Sequence, residues 1–113
     1  MLKNVTVVTQ NVDDLHERAG STNVIHLHGE LMKACSSSQP QNFDYVCTLP
    51  SPESDLHLGD LAADGSQLRP FIVWFGEAVP RMDDAIKALD GVDAFVIIGT
   101  SLNVYPAAGL LNY

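Results

Sequence analysis

The sequence predicts an α/β fold: a partial Rossmann-like, doubly wound parallel sheet with an irregular small-lobe insertion. Three observations predict it. Short runs such as Val5-Thr6-Val7-Val8 and Ala94-Phe95-Val96-Ile97-Ile98 are apolar or β-branched throughout, as in strands buried on both faces. Helix-like patterns alternate with these runs, which is the order of parallel βαβ units. Between residues 33 and 69, neither a helical nor a strand period survives.

The first run, residues 5–8, is read as a buried parallel strand. A helix is expected over residues 11–19, with Asn11 as its cap, Asp13 and Asp14 at its positive end and Gly20 as its stop. Val24-Ile25-His26-Leu27-His28 reads as the second strand. Ser36-Ser37-Ser38, Pro40, Pro50, Pro52, Gly59 and Gly65 then mark the insertion. Regularity returns with Phe71-Ile72-Val73-Trp74-Phe75 as a strand and residues 82–89 as a helix, apolar at 82, 85, 86 and 89. The strand of residues 94–98 runs into Gly99-Thr100-Ser101, and Pro106 opens a further apolar helix. Such sheets commonly hold more strands than the four found here, so an incomplete chain is expected.

With 113 residues, 46% of them hydrophobic, the chain suits one globular domain. Six basic against fourteen acidic residues leave a formal charge of -8, which disfavours nucleic acid and anionic membrane surfaces as partners. A lysine-rich protein segment is the better electrostatic match. Neither a signal-peptide core nor a span of ~20 apolar residues is present. With only Cys35 and Cys47 for thiols, the reading is a cytoplasmic protein with reduced cysteines and no disulfide.

Four clusters carry candidate chemistry. Gln10, Asn11 and Asp13 follow the first strand, where amides and a carboxylate can bind hydroxyls and a carboxamide, although helix capping accounts for part of this cluster. His26 and His28, two apart on a strand, would share a face; they fit a hydrogen-bonded core histidine, a general base or a metal pair lacking a third ligand. Gly99-Thr100-Ser101 offers exposed amides and hydroxyls to a phosphate or ribose, or is an ordinary tight turn. Val73-Trp74-Phe75-Gly76-Glu77 either offers a strand edge to an extended peptide or buries its aromatics in the core.

In order, the blocks TQNVDDLHERAG (9–20), HLHGEL (26–31), RPFIVWFGEAVP (69–80) and GTSLNVYPAAGL (99–110) closely resemble the sirtuins, the NAD-dependent protein-lysine deacylases. HGEL and VWFGE look most like bacterial members and the branch that can remove acidic acyl groups. The resemblance implies that Gln10, Asn11, Val12 and Asp13 contact the nicotinamide riboside half of NAD, the co-substrate. It makes His28 the general base, with Asn11 helping to orient the ribose. Gly99, Thr100 and Ser101 would bind NAD, and Val73, Trp74, Phe75, Gly76 and Glu77 would pair with the backbone of an acyl-lysine protein or peptide. The implied reaction passes the acyl group to ADP-ribose and releases nicotinamide and free lysine. The chain would then divide into the first part of an NAD-binding domain (1–32), a small lobe (33–69) and the second part of that domain (70–113).

The sequence departs from the family pattern in three ways. Members usually carry a structural zinc on two cysteine pairs, whereas Cys35 and Cys47 stand alone and Cys35 lies one residue short of the usual first position. A zinc-free lobe is therefore expected, with no metal ligands. The glycine-rich GAGxS turn that cradles the NAD phosphates is absent, as is the C-terminal strand pair. An inert peptide-binding module and an ADP-ribosyltransferase on the same scaffold are the alternatives to a deacylase.

Overall fold

The computed structural model describes residues 4–113; residues 1–3 of the expected first block lie outside the described residues. The β1 strand, Val7–Thr9, and the β2 strand, Val24–His26, pair in parallel, with Val8 opposite Ile25 and Thr9 opposite His26. The α1 helix, Leu15–Arg18, lies on the connection between them. This is the βαβ unit that the alternation of patterns requires, and the α/β expectation holds.

The helix is shorter than residues 11–19. Asn11 does not cap it; Asp14 is the capping residue, without a side-chain cap bond, and Asp13 Oδ1 accepts from the Leu15 amide at 3.1 Å. The physical reason lies upstream. Asn11 donates its amide to Thr9 Oγ1 at 3.0 Å, and its carbonyl accepts from the His26 ring, so residues 10–13 stay in a loop. Gly20, with φ at 101°, ends the helical segment as expected.

After β2 the chain turns and enters β3, Gly29–Ser36, a strand of eight residues where the sequence suggested irregular structure from residue 33. With β4, Cys47–Thr48, and β5, Leu68–Ile72, it forms an antiparallel sheet in the order β4-β3-β5. The register between β3 and β5 shifts between Gly29 and Ala34. That irregularity breaks the period of two and hides the strand from pattern reading. Residues 37–67 are otherwise loop-rich, with a 3-10 turn at Phe43–Tyr45. β5 itself stops at Ile72 rather than Phe75.

The α2 helix, Met82–Ala88, agrees with its predicted apolar face. Ala85 is fully buried against Ile25, Leu27, Ala107 and Leu110, and Met82, Ile86 and Leu89 pack on the same cluster. The last apolar segment forms a 3-10 helix, Ala107–Asn112, just after Pro106. Residues 94–98 form no strand, and Val96 and Ile98 are 72% and 84% exposed. An apolar run becomes a strand only when its amides and carbonyls find a ladder, and among the described residues none pairs with it.

Candidate functional site

The site forms where β1 ends. Thr9 is buried, and its carbonyl accepts the Leu27 amide at 2.9 Å, which holds the start of the loop against the residues that follow β2. The next two carbonyls each meet a histidine ring. Gln10 O lies 3.2 Å from His28 Nδ1, and Asn11 O lies 2.9 Å from His26 Nδ1. A carbonyl oxygen can only accept, so both Nδ1 atoms carry the proton in these bonds.

The two rings differ at Nε2. His26 is 3% exposed, and its Nε2 lies 2.6 Å from Glu17 Oε1, so a protonated ring donates from both nitrogens. Burial pulls the His26 pKa down, but the Asn11 carbonyl and the Glu17 carboxylate outweigh it and leave a net rise. The same contact lowers the Glu17 pKa. His26 is therefore a clamp between β2 and α1. His28 is half-buried, and in its neutral form the Nδ1 bond leaves a lone pair on Nε2. That is the tautomer a general base needs.

The His28 backbone is tied to β5. Its carbonyl accepts the Val73 amide at 2.9 Å, and Gly29 pairs with Ile72. A side chain at Gly29 would place its Cβ 1.9 Å from the Phe71 carbonyl oxygen, and φ there is 91°, so only glycine allows this approach. The imidazole and the end of β5 are thus one connected unit. Beyond Val73 the chain folds into a turn. Glu77 N donates to Trp74 O at 3.0 Å, Glu77 Oε2 accepts from Trp74 N at 3.0 Å, and Arg69 pairs with the same carboxylate. Trp74 and Phe75 are 59% and 102% exposed, so the aromatics are displayed rather than packed in the core.

Gly99, Thr100 and Ser101 are fully surface residues, and Thr100 Oγ1 accepts from the Leu102 amide at 3.1 Å. Among the described residues, no hydrogen bond joins them to Gln10, Asn11, Val12 or Asp13. The structure thus gathers Gln10, Asn11, His26, His28 and Val73, and leaves the glycine-threonine-serine turn apart. Sequence reasoning missed Glu17 and Arg69. Glu17 belonged to a helix pattern and Arg69 to a loop, and no spacing rule linked either to its partner.

Among the described residues, Cys35 and Cys47 do not gather into a four-thiolate zinc site. Burial raises the pKa of the Cys35 thiol, whose Sγ donates to the Pro70 carbonyl at 3.8 Å. Cys47 faces Ala34 across the ladder, and neighbouring residues on a strand alternate sides, so it points away from the Cys35 side. Among the described residues, no three His, Cys, Asp or Glu side chains gather to hold a metal ion. Among these residues also, no helix is long and apolar enough to cross a membrane.

A parallel βαβ unit with a polar loop and an imidazole beyond its strand ends defines the class of α/β proteins that bind ligands at the carboxyl ends of their strands. The Sir2 family model matches residues 1–106, and the chain belongs to that family. It is 64% identical over 110 residues to an NAD-dependent protein deacylase of Bacteroides thetaiotaomicron, covering 97% of this chain and 47% of that protein. A Helicobacter pylori protein of the same name (strain 26695) is 56% identical over 109 residues, covering 96% of this chain and 45% of its own length. The chain therefore spans about half the length of these relatives. Among solved structures, a Sir2 homolog–NAD complex superposes with a TM-score of 0.78 at 42% identity, covering 96% of this chain and 41% of that one. A Sir2–p53 peptide–NAD+ structure gives 0.68 at 36% identity, covering 94% of this chain and 45% of that one.

Proposed function

We propose that the chain carries the base and the peptide-pairing edge of an NAD-dependent protein-lysine deacylase. The observation that supports this most is the Nδ1 bond of His28 to Gln10 O, which orients the ring and keeps Nε2 available. The names of the relatives support the same reading, as does the similarity to a Sir2 structure with a p53 peptide and NAD+. Gln10, Asn11, Val12 and Asp13 would hold the nicotinamide riboside side of NAD, since their amides and carboxylate suit a carboxamide and hydroxyls. Gly99, Thr100 and Ser101 would supply further amides and hydroxyls to it. NAD, when bound, would supply a ribose carbon from which nicotinamide leaves as the acyl oxygen takes its place, and a ribose hydroxyl that then receives the acyl group. His28 Nε2 takes the proton of a ribose hydroxyl, Asn11 helps to orient that ribose, and residues 73–77 align the acyl-lysine backbone.

Residues 1–32 and 70–113 are read as two parts of an NAD-binding domain flanking a lobe at 33–69, in a cytoplasmic protein with reduced thiols. We read that lobe as zinc-free. Ser36, which is fully buried, donates to Asp64 Oδ2 at 2.6 Å, Ser38 donates to the same oxygen at 2.9 Å, and Ser66 donates to Oδ1 at 2.7 Å. This knot joins the end of β3 to the loop before β5 without a metal. Metal analysis of the purified protein should find no stoichiometric zinc, and a chelator should leave its melting temperature unchanged; about one ion per chain would overturn the reading.

Incubation with NAD and an acyl-lysine peptide, followed by mass spectrometry, tests the activity. Loss of the acyl group, with nicotinamide and an acylated ADP-ribose appearing, is the expected outcome. An unchanged peptide would favour an inert binding module, and a gain of ADP-ribose would favour transferase chemistry.

A further inference from the structure

The end of β5 is held by a side-chain clamp. Arg69, near the start of the strand, reaches Glu77 beyond its end with two parallel bonds, Nη1 to Oε1 and Nη2 to Oε2, both 2.7 Å. Nη2 also donates to the Ile72 carbonyl at 2.9 Å, and Glu77 Oε2 accepts the Trp74 amide at 3.0 Å. This is the bidentate fork that arginine alone can offer a carboxylate, and it fixes orientation as well as distance. The guanidinium stays there although its Nε is buried without a partner, which carries a desolvation cost.

The clamp sorts the backbone groups of this segment. The Ile72 carbonyl is taken by Arg69, the Val73 amide donates to His28 O, the Trp74 amide donates to Glu77, and the Trp74 carbonyl accepts Glu77 N. Among the described residues, the backbone groups of Phe75 and Gly76 make no hydrogen bond and remain at the tip. Gly76 sits at φ 90°, and the Phe75 ring beside it is fully exposed. The Val73 carbonyl also has no partner among the described residues, so an extended chain laid along β5 would find open groups at Val73 and at this tip.

We propose that Arg69 and Glu77 are positioning residues that present the Val73 carbonyl and the Phe75–Gly76 tip to the backbone of an extended acyl-lysine peptide, the Glu77 side chain itself making no contact with that peptide. The proposal rests on the deacylase reading above and narrows its substrate edge from five residues to three. Arg69 and the Trp74 amide hold the Glu77 carboxyl down to about 2, so the clamp stays charged at neutral pH.

Trp74 is the only tryptophan, so its fluorescence reports occupation of the tip whether or not the peptide turns over. Peptide binding would be titrated in the presence of NAD, and turnover measured, for the wild type, Glu77→Gln and Arg69→Lys. Both variants should raise Kd and KM for the peptide about tenfold while kcat stays within about twofold, because a positioning loss acts on peptide alignment more than on the base. Where Glu77→Gln melts near the assay temperature, Arg69→Lys gives the reading, since lysine keeps the charge and loses the fork. Wild-type Kd and KM in both variants, or a fall in kcat with KM unchanged, would overturn the clamp role. A wild-type protein that neither responds to peptide nor turns it over would overturn the deacylase reading itself.

Discussion

Two segments of this chain begin alike and end differently. Residues 5–8 and 94–98 are both short apolar runs that lead into polar turns, Thr9-Gln10-Asn11 and Gly99-Thr100-Ser101. The first contributes Val7–Thr9 to a parallel pair with β2, and its following carbonyls hold two histidine rings. The second has no ladder among the described residues, and its apolar side chains face outward. The difference teaches that apolar character sets what a strand can bury, whereas a neighbouring backbone decides whether it is a strand at all.

The comparison breaks first on catalysis. His28→Ala should lower turnover about 10²-fold or more, the usual contribution of a positioned base. Its melting temperature should stay near that of the wild type, because His28 is only half-buried. Thr100→Ala in the second segment should cost far less, since an exposed hydroxyl bonded to its own loop is one of several polar groups on that turn. Steady-state rates and melting curves on the three proteins decide it. A Thr100→Ala loss as large as that of His28→Ala would move the chemistry to the second segment.

Gly29→Ala sharpens the comparison on structure. The alanine needs a positive φ, which costs a non-glycine residue about 1–2 kcal/mol, and its Cβ must also displace the Phe71 carbonyl. We expect a loss of about 2 kcal/mol or more, read by urea unfolding, for a change of one methyl group. An alanine at Gly91, where φ is 71° but nothing lies within 4 Å of the added carbon, should lose only the φ component. Equal losses at both sites would mean that the close approach of β3 to β5 carries no cost.

Much of this was legible in the residues alone. The βαβ order, the apolar face of α2 and the stop at Gly20 followed from period and backbone chemistry, and the resemblance of four ordered blocks pointed to the family to which the chain belongs. The β3 strand was not legible, because its shift against β5 breaks the alternation that identifies strands. The separation of His26 from His28 was not legible either. Spacing places both imidazoles on one face, but only the packed structure shows that Glu17 reaches one ring and not the other. The Arg69–Glu77 clamp was hidden for the same reason: it spans a turn, and no spacing rule links its two ends.

The smallest expected effect concerns the His26–Glu17 pair, which holds the satisfied region together by charge. The pKa of His26 is raised from its ordinary 6.5, so its contribution is complete below that value and is lost as pH rises through the folded pKa. The pKa of Glu17 is lowered from 4.5, so its contribution is complete above that value and is lost as pH falls through the folded pKa. Both hold together between 4.5 and 6.5. Glu17→Gln should therefore lower stability most near the middle of that window, and less above the raised folded pKa of His26. Because Glu17 is 40% exposed, solvent screening limits the loss to about 1 kcal/mol or less. Urea unfolding of wild type and variant across pH 4 to 9 measures the gap. A gap that is flat across the range would mean that the pair acts as a neutral hydrogen bond, and the charged clamp on β2 would have to be given up.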